Sequence, residues 1–477
     1  MRFRTTLVLL LLLAGLGAYV YWVEMPAAEQ ETKKKTVFEF KPDDVTQVTL
    51  AYPDREIVLA KSGGQWRLTR PIDALADATT TGNLVSAIAE CEVKKELSDA
   101  SPDPAQYGLD KPFVTVTMQL GDRALPGLRV GKNTPVGFST YVQRTDDNKV
   151  LLTASAFRAG MDKQVKDLRD KTIVAFDDKD VQKIQVRADG KDLTLGQKDG
   201  AWRIEQPAAY PADAAAVRNF LSSLRAMRAL DFPADQPADL AAYGLDQPRL
   251  ALTLTIGKDL TEKRVLVGKE NEKKEIYVQT SGQPTVYTVS EWVFRDLNKG
   301  TSDFRDKTVL AFDQNSVTGL DIVRGDGGRM KLTRAADKRW TAEGLDGTLS
   351  DTAITQYLTD LHDLKGHDIA ADGPTDLAAF GLAAPQLTAT ILGADGTPLG
   401  AVLLGTREAN GTTEYTAMRS GGSPVFLVRE YLFTRLNKQP NDFLAQATPA
   451  PGSASAPPDA QPEDEPQGIE LPGDDEE

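Results

Sequence analysis

Cysteine and histidine are almost absent from this chain of 477 residues, which contains one of the first and two of the second. A single cysteine excludes an intramolecular disulfide and any metal site built from a cysteine cluster. Two histidines leave little material for zinc ligation or for a histidine acting as a general base. The sequence therefore predicts no metal ion, no cofactor and no residue that binds either.

An excess of positive charge is also missing, because 55 Lys and Arg stand against 69 Asp and Glu, for a net charge of -14. Nine of the acidic residues lie within residues 448–477, which contain no Lys or Arg, so the rest of the chain carries about -5. Phosphate binding needs a clustered basic surface. We therefore expect no nucleic-acid partner.

The composition fits neither a wholly disordered chain nor a multi-pass membrane protein. Hydrophobic residues make up 41% of the chain and charged residues 26%, and the mean hydropathy is -0.33. These are values of ordinary globular protein. The length exceeds what one hydrophobic core usually serves, so two to four domains are expected.

One apolar run stands near the start of the chain, where residues 7–23 carry no charge and include five consecutive leucines. Such a run is near the lower limit for a helix that spans a membrane. A cleaved signal peptide is the alternative, but the run ends in bulky aromatic residues where signal peptidase needs small ones. Because Arg2 and Arg4 favour a cytoplasmic position for residues 1–6, we expect residues 7–23 to anchor a periplasmic body in the inner membrane.

The chain repeats itself three times, with a nearly constant interval between equivalent residues. The landmarks recur in one order: tryptophan at Trp66, Trp202 and Trp340; Tyr-Gly-Leu-Asp at 107–110 and 243–246, then Phe-Gly-Leu-Ala at 380–383; Val-Gly or Leu-Gly at 130–131, 267–268 and 404–405; tyrosine at Tyr141, Tyr277 and Tyr415; Arg-Asp-Lys-Thr at 169–172 and 305–308. They define module 1 (residues 36–172), module 2 (173–308) and module 3 (309–446). A repeat of this length can enclose its own core, so the pattern predicts a row of duplicated domains.

Each module contains one amphipathic helix, indicated by apolar residues at a spacing of 3.6. These faces are Thr81, Leu84, Val85, Ile88 and Cys91, then Val217, Phe220, Leu221, Leu224 and Met227, then Ile354, Tyr357, Leu358, Leu361 and Leu364. An aspartate precedes each face, at Asp77, Asp213 and Asp351. An aspartate there accepts hydrogen bonds from free N–H groups of the first turn, so all three are predicted to be caps.

Strands surround this helix. Residues 45–50, 57–60 and 65–69 read as three short strands separated by turns, and apolar residues alternate from position 114, 250 and 387 onward. A second helix is predicted to close each module, with Phe157, Met161 and Leu168, then Val293, Leu297 and Phe304, then Leu432, Leu436 and Phe443. The predicted class is α+β, with three tandem repeats of a mainly antiparallel sheet plus two helices, after one N-terminal transmembrane helix.

Module 3 departs from the other two, since Phe443-Leu444-Ala445-Gln446 replaces the Arg-Asp-Lys-Thr segment. A terminal copy has no successor to contact, so the loss of this segment fits the end of an array. Residues 447–477 are rich in Pro, Ala, Asp and Glu and hold almost no large apolar side chain. We expect this tail to be disordered.

Few side chains are candidates for chemistry. Cys91 aligns with Met227 and Leu364, so a core thiol is favoured over a nucleophile. His362 and His367 are separated by a spacing that on a helix places them on different faces, which argues against a metal pair. The three tryptophans occupy equal register in a strand, which favours core packing over a ligand platform.

The acidic run at residues 177–180 lacks the glycine and the distal glutamate of a calcium loop, so solvated charge is favoured there. No phosphate-binding, serine-hydrolase or zinc-protease motif is present. We assign no catalytic residue. Gly108, Gly244 and Gly381 are predicted to adopt a positive φ in a turn whose leucine enters the core. The pairs Arg169-Asp170 and Arg305-Asp306 are predicted to fix one module against the next.

Together, the N-terminal anchor, the strand tryptophan, the Tyr-Gly-Leu-Asp-x-Pro turns at 107–112 and 243–248, the Val-Gly strand end and the Arg-Asp-Lys helix end resemble the bacterial DUF4340 family, a domain of unknown function. The resemblance covers residues 36–446 and is weakest in module 3. It implies a cell-envelope protein, often encoded beside an ABC-type export system with a gliding-motility-like component. It assigns no functional residues.

The sequence thus favours a membrane-anchored periplasmic protein that is not an enzyme and that binds or scaffolds, with inner-membrane transport or envelope proteins as partners. A triplicated module without a recurring polar constellation favours surface over chemistry. Two alternatives stay open. One is a cell-wall or polysaccharide hydrolase that uses two carboxylates, and the other is a periplasmic ligand receptor with grooves between modules.

Overall fold

Three antiparallel sheets follow one another in the computed structural model, which describes residues 35–97, 103–343 and 345–445. Every strand pair in these ranges is antiparallel. One sheet falls within each of modules 1, 2 and 3. The chain divides into two compact units, Met1–Thr301 with the first two sheets and Ser302–Glu477 with the third.

The first sheet has ten strands: β1 Gln47–Ala51, β2 Glu56–Ser62, β3 Gln65–Arg70, β4 Ala74–Leu75, β5 Lys95–Glu96, β6 Val114–Leu120, β7 Arg123–Ala124, β8 Leu128–Asn133, β9 Ser139–Arg144 and β10 Leu151–Ala154. Their order across the sheet is β4-β3-β2-β1-β6-β8-β9-β10-β5, with β7 paired to β6. The predicted strands are confirmed. The two-residue edge strands β4 and β5 were not predicted, because such short pieces leave no periodic signal.

The other two sheets repeat this order with few changes. The second contains β11 Val181–Ala188, β12 Lys191–Lys198, β13 Ala201–Gln206, β14 Tyr210–Pro211, β15 Asp231–Ala234, β16 Leu250–Ile256, β17 Thr261–Glu270, β18 Glu275–Thr280 and β19 Val286–Ser290. The third contains β20 Gly319–Arg324, β21 Arg329–Arg334, β22 Trp340–Ala342, β23 Asp368–Ala371, β24 Leu387–Leu392, β25 Pro398–Ala409, β26 Thr412–Arg419 and β27 Val425–Val428. In each sheet the first strand of the module pairs with the strand that follows the glycine turn.

Helices cover the apolar faces of the sheets. They are α1 Ala78–Ala89, α2 Pro104–Tyr107, α3 Ser155–Gly160, α4 Val165–Leu168, α5 Ala214–Ala226, α6 Trp292–Leu297, α7 Thr301–Phe304, α8 Asp351–His362 and α9 Glu430–Leu436. The predicted faces of α1, α5 and α8 are buried as expected. Each large apolar side chain moved out of water there contributes about 1.5 to 3 kcal/mol.

The cap predictions are confirmed in modules 1 and 2 and wrong in module 3. Asp77 accepts a hydrogen bond from the N–H of Thr80, and Asp213 accepts from the N–H groups of Ala215 and Ala216, so both are caps. The prediction for Asp351 is wrong. Asp351 is the first residue inside α8, and the hydroxyl of Ser350 accepts from the N–H of Ala353 instead.

This difference gives a matched test of capping. Asp77→Ala and Ser350→Ala should each lower the free energy of unfolding by about 1 kcal/mol, because each leaves a helix N–H group without its side-chain acceptor. Asp351→Ala should have a smaller effect. Urea unfolding followed by circular dichroism measures all three, and an equal loss for Asp351→Ala and Ser350→Ala would contradict this assignment.

The second helix of each module is broken in two, contrary to the prediction of one helix. In module 1 the chain leaves α3 at Gly160 and restarts at α4, where the N–H of Gln164 donates to Asp167. Module 3 has the same hydrogen bond, from the N–H of Gln439 to the Asp442 carboxylate, at the start of a 3-10 helix at Pro440–Phe443. The apolar spacing fits one helix or two, so only the capping side chains distinguish them.

Residues 1–6, the apolar run at 7–23 and the tail at 447–477 lie outside the described residues. Within the described ranges, no helix is both long and apolar enough to cross a membrane. Both predictions, an anchor at 7–23 and a disordered tail at 447–477, therefore stay predictions.

Candidate functional site

The recurring glycines serve the fold, because the turn and the strand beside it are in close contact. Gly108, Gly244 and Gly381 all have positive φ angles, of 69°, 65° and 67°, and the leucine after each is buried, as predicted. The glycine of the Val-Gly landmark faces the same turn. A Cβ added to Gly131 would lie 2.3 Å from the carbonyl oxygen of Tyr107. These landmarks are thus explained by packing.

Cys91 is a core residue, as predicted. It is 3% exposed, and its Sγ lies 3.4 Å from the Thr153 hydroxyl oxygen. Burial raises the pKa of the Cys91 thiol to about 11. A thiol in this state is a poor nucleophile at neutral pH.

Trp66 and Trp340 have structural places, whereas Trp202 is half-buried, and both histidines lie at the surface of the described chain. Trp66 is 9% exposed and belongs to the core of module 1, and Trp340 packs half-buried against the core of module 3. His362 is exposed and its Nδ1 lies 2.8 Å from Oδ1 of Asp363. The assumption that His367 continues the same helix is wrong, because α8 ends at His362.

The acidic run at 177–180 is a short 3-10 turn. The side chain of Asp177 accepts from the N–H of Lys179, and Arg225 pairs with Asp178 at 3.1 Å. No group of three or more His, Cys, Asp or Glu side chains in the described part of the chain is arranged to hold a metal ion.

A buried arginine joins modules 1 and 2. The side chain of Arg169 is 10% exposed, and its Nη2 lies 2.8 Å from Oδ1 of Asp235. The guanidinium carbon lies 3.9 Å from the centroid of the Phe232 ring. Asp170 plays a local part, because its carboxylate accepts from the N–H of Thr172. The arginine of the predicted pair therefore makes a side-chain contact between the modules, beside the backbone bridge of Thr172 to Arg228, and the aspartate fixes its own turn.

The second Arg-Asp pair repeats this division of roles within the second compact unit. Both terminal nitrogens of Arg305 donate to the carboxylate of Asp372, at 2.6 and 2.7 Å. Asp306 accepts from the N–H of Thr308. Asp235 and Asp372 occupy equivalent positions of the repeat, so the same ion pair is built twice.

A cleft of about 670 Å³ opens in module 2 between the hairpin of β11 and β12 and the loop that joins α6 to α7. Its walls are formed by hairpin residues Val186, Ala188, Asp189, Gly190, Lys191, Asp192 and Leu193, by Gln206 and Pro207, and by loop residues Asn298, Lys299, Gly300 and Thr301. A volume of this size is typical of pockets that hold small ligands. This cleft is the candidate functional site.

The cleft lies where side chains of the other modules tie the hairpin to the loop. Tyr52, Ala188 and Arg324 occupy equivalent positions of the repeat and are evenly spaced along the chain. In module 1 the Tyr52 hydroxyl donates to the Met161 carbonyl at 2.6 Å and accepts from the N–H of Lys163 at 3.0 Å. This contact ties hairpin to loop, and an alanine cannot make it.

The loop is smaller as well. Its residues are Met-Asp-Lys-Gln at 161–164, Leu-Asn-Lys-Gly at 297–300 and Leu-Asn-Lys-Gln at 436–439. Gly300 therefore replaces a glutamine that both other modules carry. In module 3 the Gln439 amide, with its oxygen towards the guanidinium, lies 2.7 Å from Nη2 of Arg324. The loss of both side chains leaves module 2 open.

The charges of the cleft are mixed. Asp189, Asp192, Lys191 and Lys299 all line the cleft, and the Asn298 amide donates to Asp189 at 3.4 Å. A hydrogen bond from the Arg187 guanidinium lowers the pKa of the Asp192 carboxyl. Asp192 therefore stays ionised at neutral pH and adds a negative charge to the cleft.

The sequence alone did not single out Ala188, Asn298 or Gly300. A signal was present, because Ala188 and Gly300 each break an otherwise bulky repeat position. These two substitutions could not be connected from the sequence, because the hairpin and the loop are distant in sequence and line the same cleft only in the folded chain.

Three antiparallel sheets with equivalent strand orders, two equivalent ion pairs and three equivalent glycine turns define a protein of tandem duplicated modules. The model of the family described as Domain of unknown function (DUF4340) matches this chain at residues 66–201, 202–376 and 348–448. These segments span more than half of the chain, so the chain belongs to that family, as the resemblance indicated.

No curated protein matches this chain. Among solved structures, the DNA polymerase III beta subunit of Thermotoga maritima is 7% identical, and the alignment covers 82% of this chain and 92% of that one. Its TM-score is 0.11, so the likeness carries no argument about fold or function.

Proposed function

We propose that this protein is a membrane-anchored periplasmic binding or scaffold protein that is accessory to an ABC-type, gliding-motility-like export system. The observation that carries the scaffold role is the ion pair between the buried Arg169 and the half-exposed Asp235, which joins two modules of one compact unit. Modules fixed in this way present a continuous surface to partners. The recurring residues build and join the modules, and the clearest difference between copies is a cleft.

The location rests on sequence. The apolar run at residues 7–23, with Arg2 and Arg4 before it, is typical of an anchor that leaves the body in the periplasm. The link to an export system rests on the family resemblance. Inner-membrane transport or envelope proteins are the expected partners.

A role as a ligand receptor is the second candidate, and the module 2 cleft favours it. Binding and scaffolding are compatible, since one module can hold a ligand or a partner side chain while the others supply attachment surface.

The test is crosslinking in native membranes followed by affinity purification and mass spectrometry of the full-length protein. We expect the permease or ATPase subunits of an ABC-type exporter among the recovered proteins. The matched control is the chain from residue 24 behind a cleavable signal peptide, which should be released from membranes and recover fewer partners.

Two results would contradict this proposal. One is release of the unaltered protein from membranes by alkaline carbonate, which would exclude the anchor. The other is recovery of no transport or envelope protein from crosslinked membranes in which the protein is abundant.

A further inference from the structure

Two oxygen atoms of the loop between the closing helices bind a guanidinium in both modules that lack the cleft. In module 1, Nη2 of Arg55 donates to the Lys163 carbonyl at 3.2 Å and lies 3.5 Å from Oδ1 of Asp162. In module 3, Nη1 of Arg324 donates to the Lys438 carbonyl at 3.1 Å and to Oδ1 of Asn437 at 3.2 Å. The two acceptors stand at equivalent positions of the loop.

The two arginines come from different positions of the hairpin. Arg324 aligns with Tyr52, whereas Arg55 lies further along the hairpin and aligns with Lys191. Arginines at two different hairpin positions thus place a guanidinium against equivalent oxygens of the loop. The loop itself therefore selects a guanidinium, whose fixed fork of N–H donors suits two adjacent acceptors.

Each of these guanidinium groups also has a carboxylate from the hairpin. Arg55 pairs with Asp54 at 3.0 Å, and Arg324 pairs with Asp326 at 3.0 Å. The side chain of Arg324 is only 13% exposed, so its charge is largely withdrawn from water and depends on these partners.

Module 2 has the acceptors without the arginine. Asn298 and Lys299 occupy the positions of Asn437 and Lys438, and Asp189 supplies a hairpin carboxylate. The Asn298 amide nitrogen is turned to Asp189, which leaves its carbonyl oxygen as an acceptor. Ala188 and Lys191 stand where the arginines of the other modules stand, and no guanidinium of the described chain reaches these oxygens.

We propose that the module 2 cleft binds a guanidinium group from another molecule, with Oδ1 of Asn298 and the Lys299 carbonyl as acceptors and Asp189 as the counter-charge. The inference rests on the proposed function only for the role of binding, and it is independent of the anchor and of the export system. Val186 and Leu193 on the cleft wall supply apolar surface for the methylene groups of an arginine stem.

The probe for the test is N-acetyl-L-arginine amide, observed by saturation-transfer difference NMR with the purified full-length protein. We expect saturation of its γ and δ methylene protons and a dissociation constant from titration. N-acetyl-L-citrulline amide, which has the same shape without the charge, should bind about tenfold or more weakly, as expected for a lost charge-assisted hydrogen bond. Equal binding of the two probes would overturn the inference.

Two variants locate the site. Ala188→Arg should abolish probe binding, because it introduces the residue that fills the equivalent place in module 3. Asn298→Ala changes an exposed side chain, so it keeps the fold, and should weaken binding about tenfold by removing one acceptor. Ala188→Ser is the matched control and should bind as the unaltered protein does. Unchanged binding in Ala188→Arg and Asn298→Ala would overturn the assignment to this cleft.

Free L-arginine and agmatine distinguish the sources of the group. Binding of N-acetyl-L-arginine amide at least as tight as that of free arginine supports an arginine side chain of a partner protein, whereas tighter binding of free arginine or agmatine supports a small guanidino compound. Either result supports guanidinium recognition. The probe experiment needs no membrane, so its failure would leave the crosslinking test of the proposed function unaffected, and the reverse also holds.

Discussion

Gly131→Ala is expected to lower the free energy of unfolding of module 1 by about 3 kcal/mol or more. The added Cβ would lie 2.3 Å from the carbonyl oxygen of Tyr107, a distance that carbon and oxygen cannot share. The contact is with backbone, so no side-chain rotation relieves it. The strand and the glycine turn must separate, and Leu109, which is 1% exposed, must move with the turn.

Urea unfolding of Gly131→Ala gives this loss directly, and Gly82→Ala is the matched control in the same module. Gly82 lies inside α1, and a Cβ there meets no atom within 4 Å. Alanine is the better helix former, so Gly82→Ala should raise stability by about 0.5 to 1 kcal/mol. A mild effect of Gly131→Ala, similar in size to that of Gly82→Ala, would contradict the packing account of the Val-Gly landmark.

These two glycines illustrate which parts of the fold could be predicted from the sequence. Repetition alone marked the Val-Gly pair as important, and periodicity predicted the main strands and the faces of α1, α5 and α8. The reason for Gly131 is a contact with Tyr107, which no local pattern records. The wrong cap in module 3 came from residue type, because the shift of 137 that aligns Val217 with Ile354 carries Asp213 to Ser350, the observed cap, and the adjacent aspartate Asp351 was chosen instead.

The candidate site was less predictable than the fold. A motif search looks for residues that are present, whereas the module 2 cleft follows from residues that are absent, a tyrosine or arginine at Ala188 and a glutamine at Gly300. Their joint effect depends on the hairpin and the loop facing each other across the module. The internal comparison of three modules acts here as a small alignment, because equivalent positions reveal which interactions module 2 has lost.

The exchange of partners between modules supports this use of the repeat. In module 1 the Arg158 guanidinium lies 4.0 Å from the centroid of the Phe113 ring. In module 2, the equivalent positions hold Phe294 and Arg249, and the guanidinium lies 4.1 Å from the ring centroid. The contact between guanidinium and ring is therefore kept, although the arginine and the phenylalanine have exchanged positions in the repeat. A guanidinium position can therefore persist in this fold while the chain position that supplies it changes.

Arg169→Ala is expected to lower the free energy of unfolding of the first compact unit by about 2 to 3 kcal/mol. The change removes a charge-assisted hydrogen bond to Asp235 and the contact of the guanidinium with the Phe232 ring. The side chain of Asp235 is 46% exposed, so water can solvate its charge once the arginine is gone. The loss should therefore fall below the 3 to 5 kcal/mol or so of a fully buried pair.

Calorimetry gives the stability, and it also reports whether modules 1 and 2 still unfold together. We expect one transition for this unit in the unaltered protein and two in Arg169→Ala, because the arginine contributes both an ion pair and a ring contact between the modules. Small-angle scattering should show a larger radius of gyration for the variant.

Arg339→Ala is the matched control, since Arg339 pairs with Asp337 at 2.6 Å but its side chain is 84% exposed. Removal of so exposed a pair should cost less than about 1 kcal/mol. A double-mutant cycle with Asp235→Ala isolates the ion pair, and a coupling of about 1 kcal/mol or more is expected for two groups in direct contact. If the cycle gave no coupling and scattering were unchanged, the modules would be held by their apolar contacts, and Arg169 would not be what makes two repeats into one body.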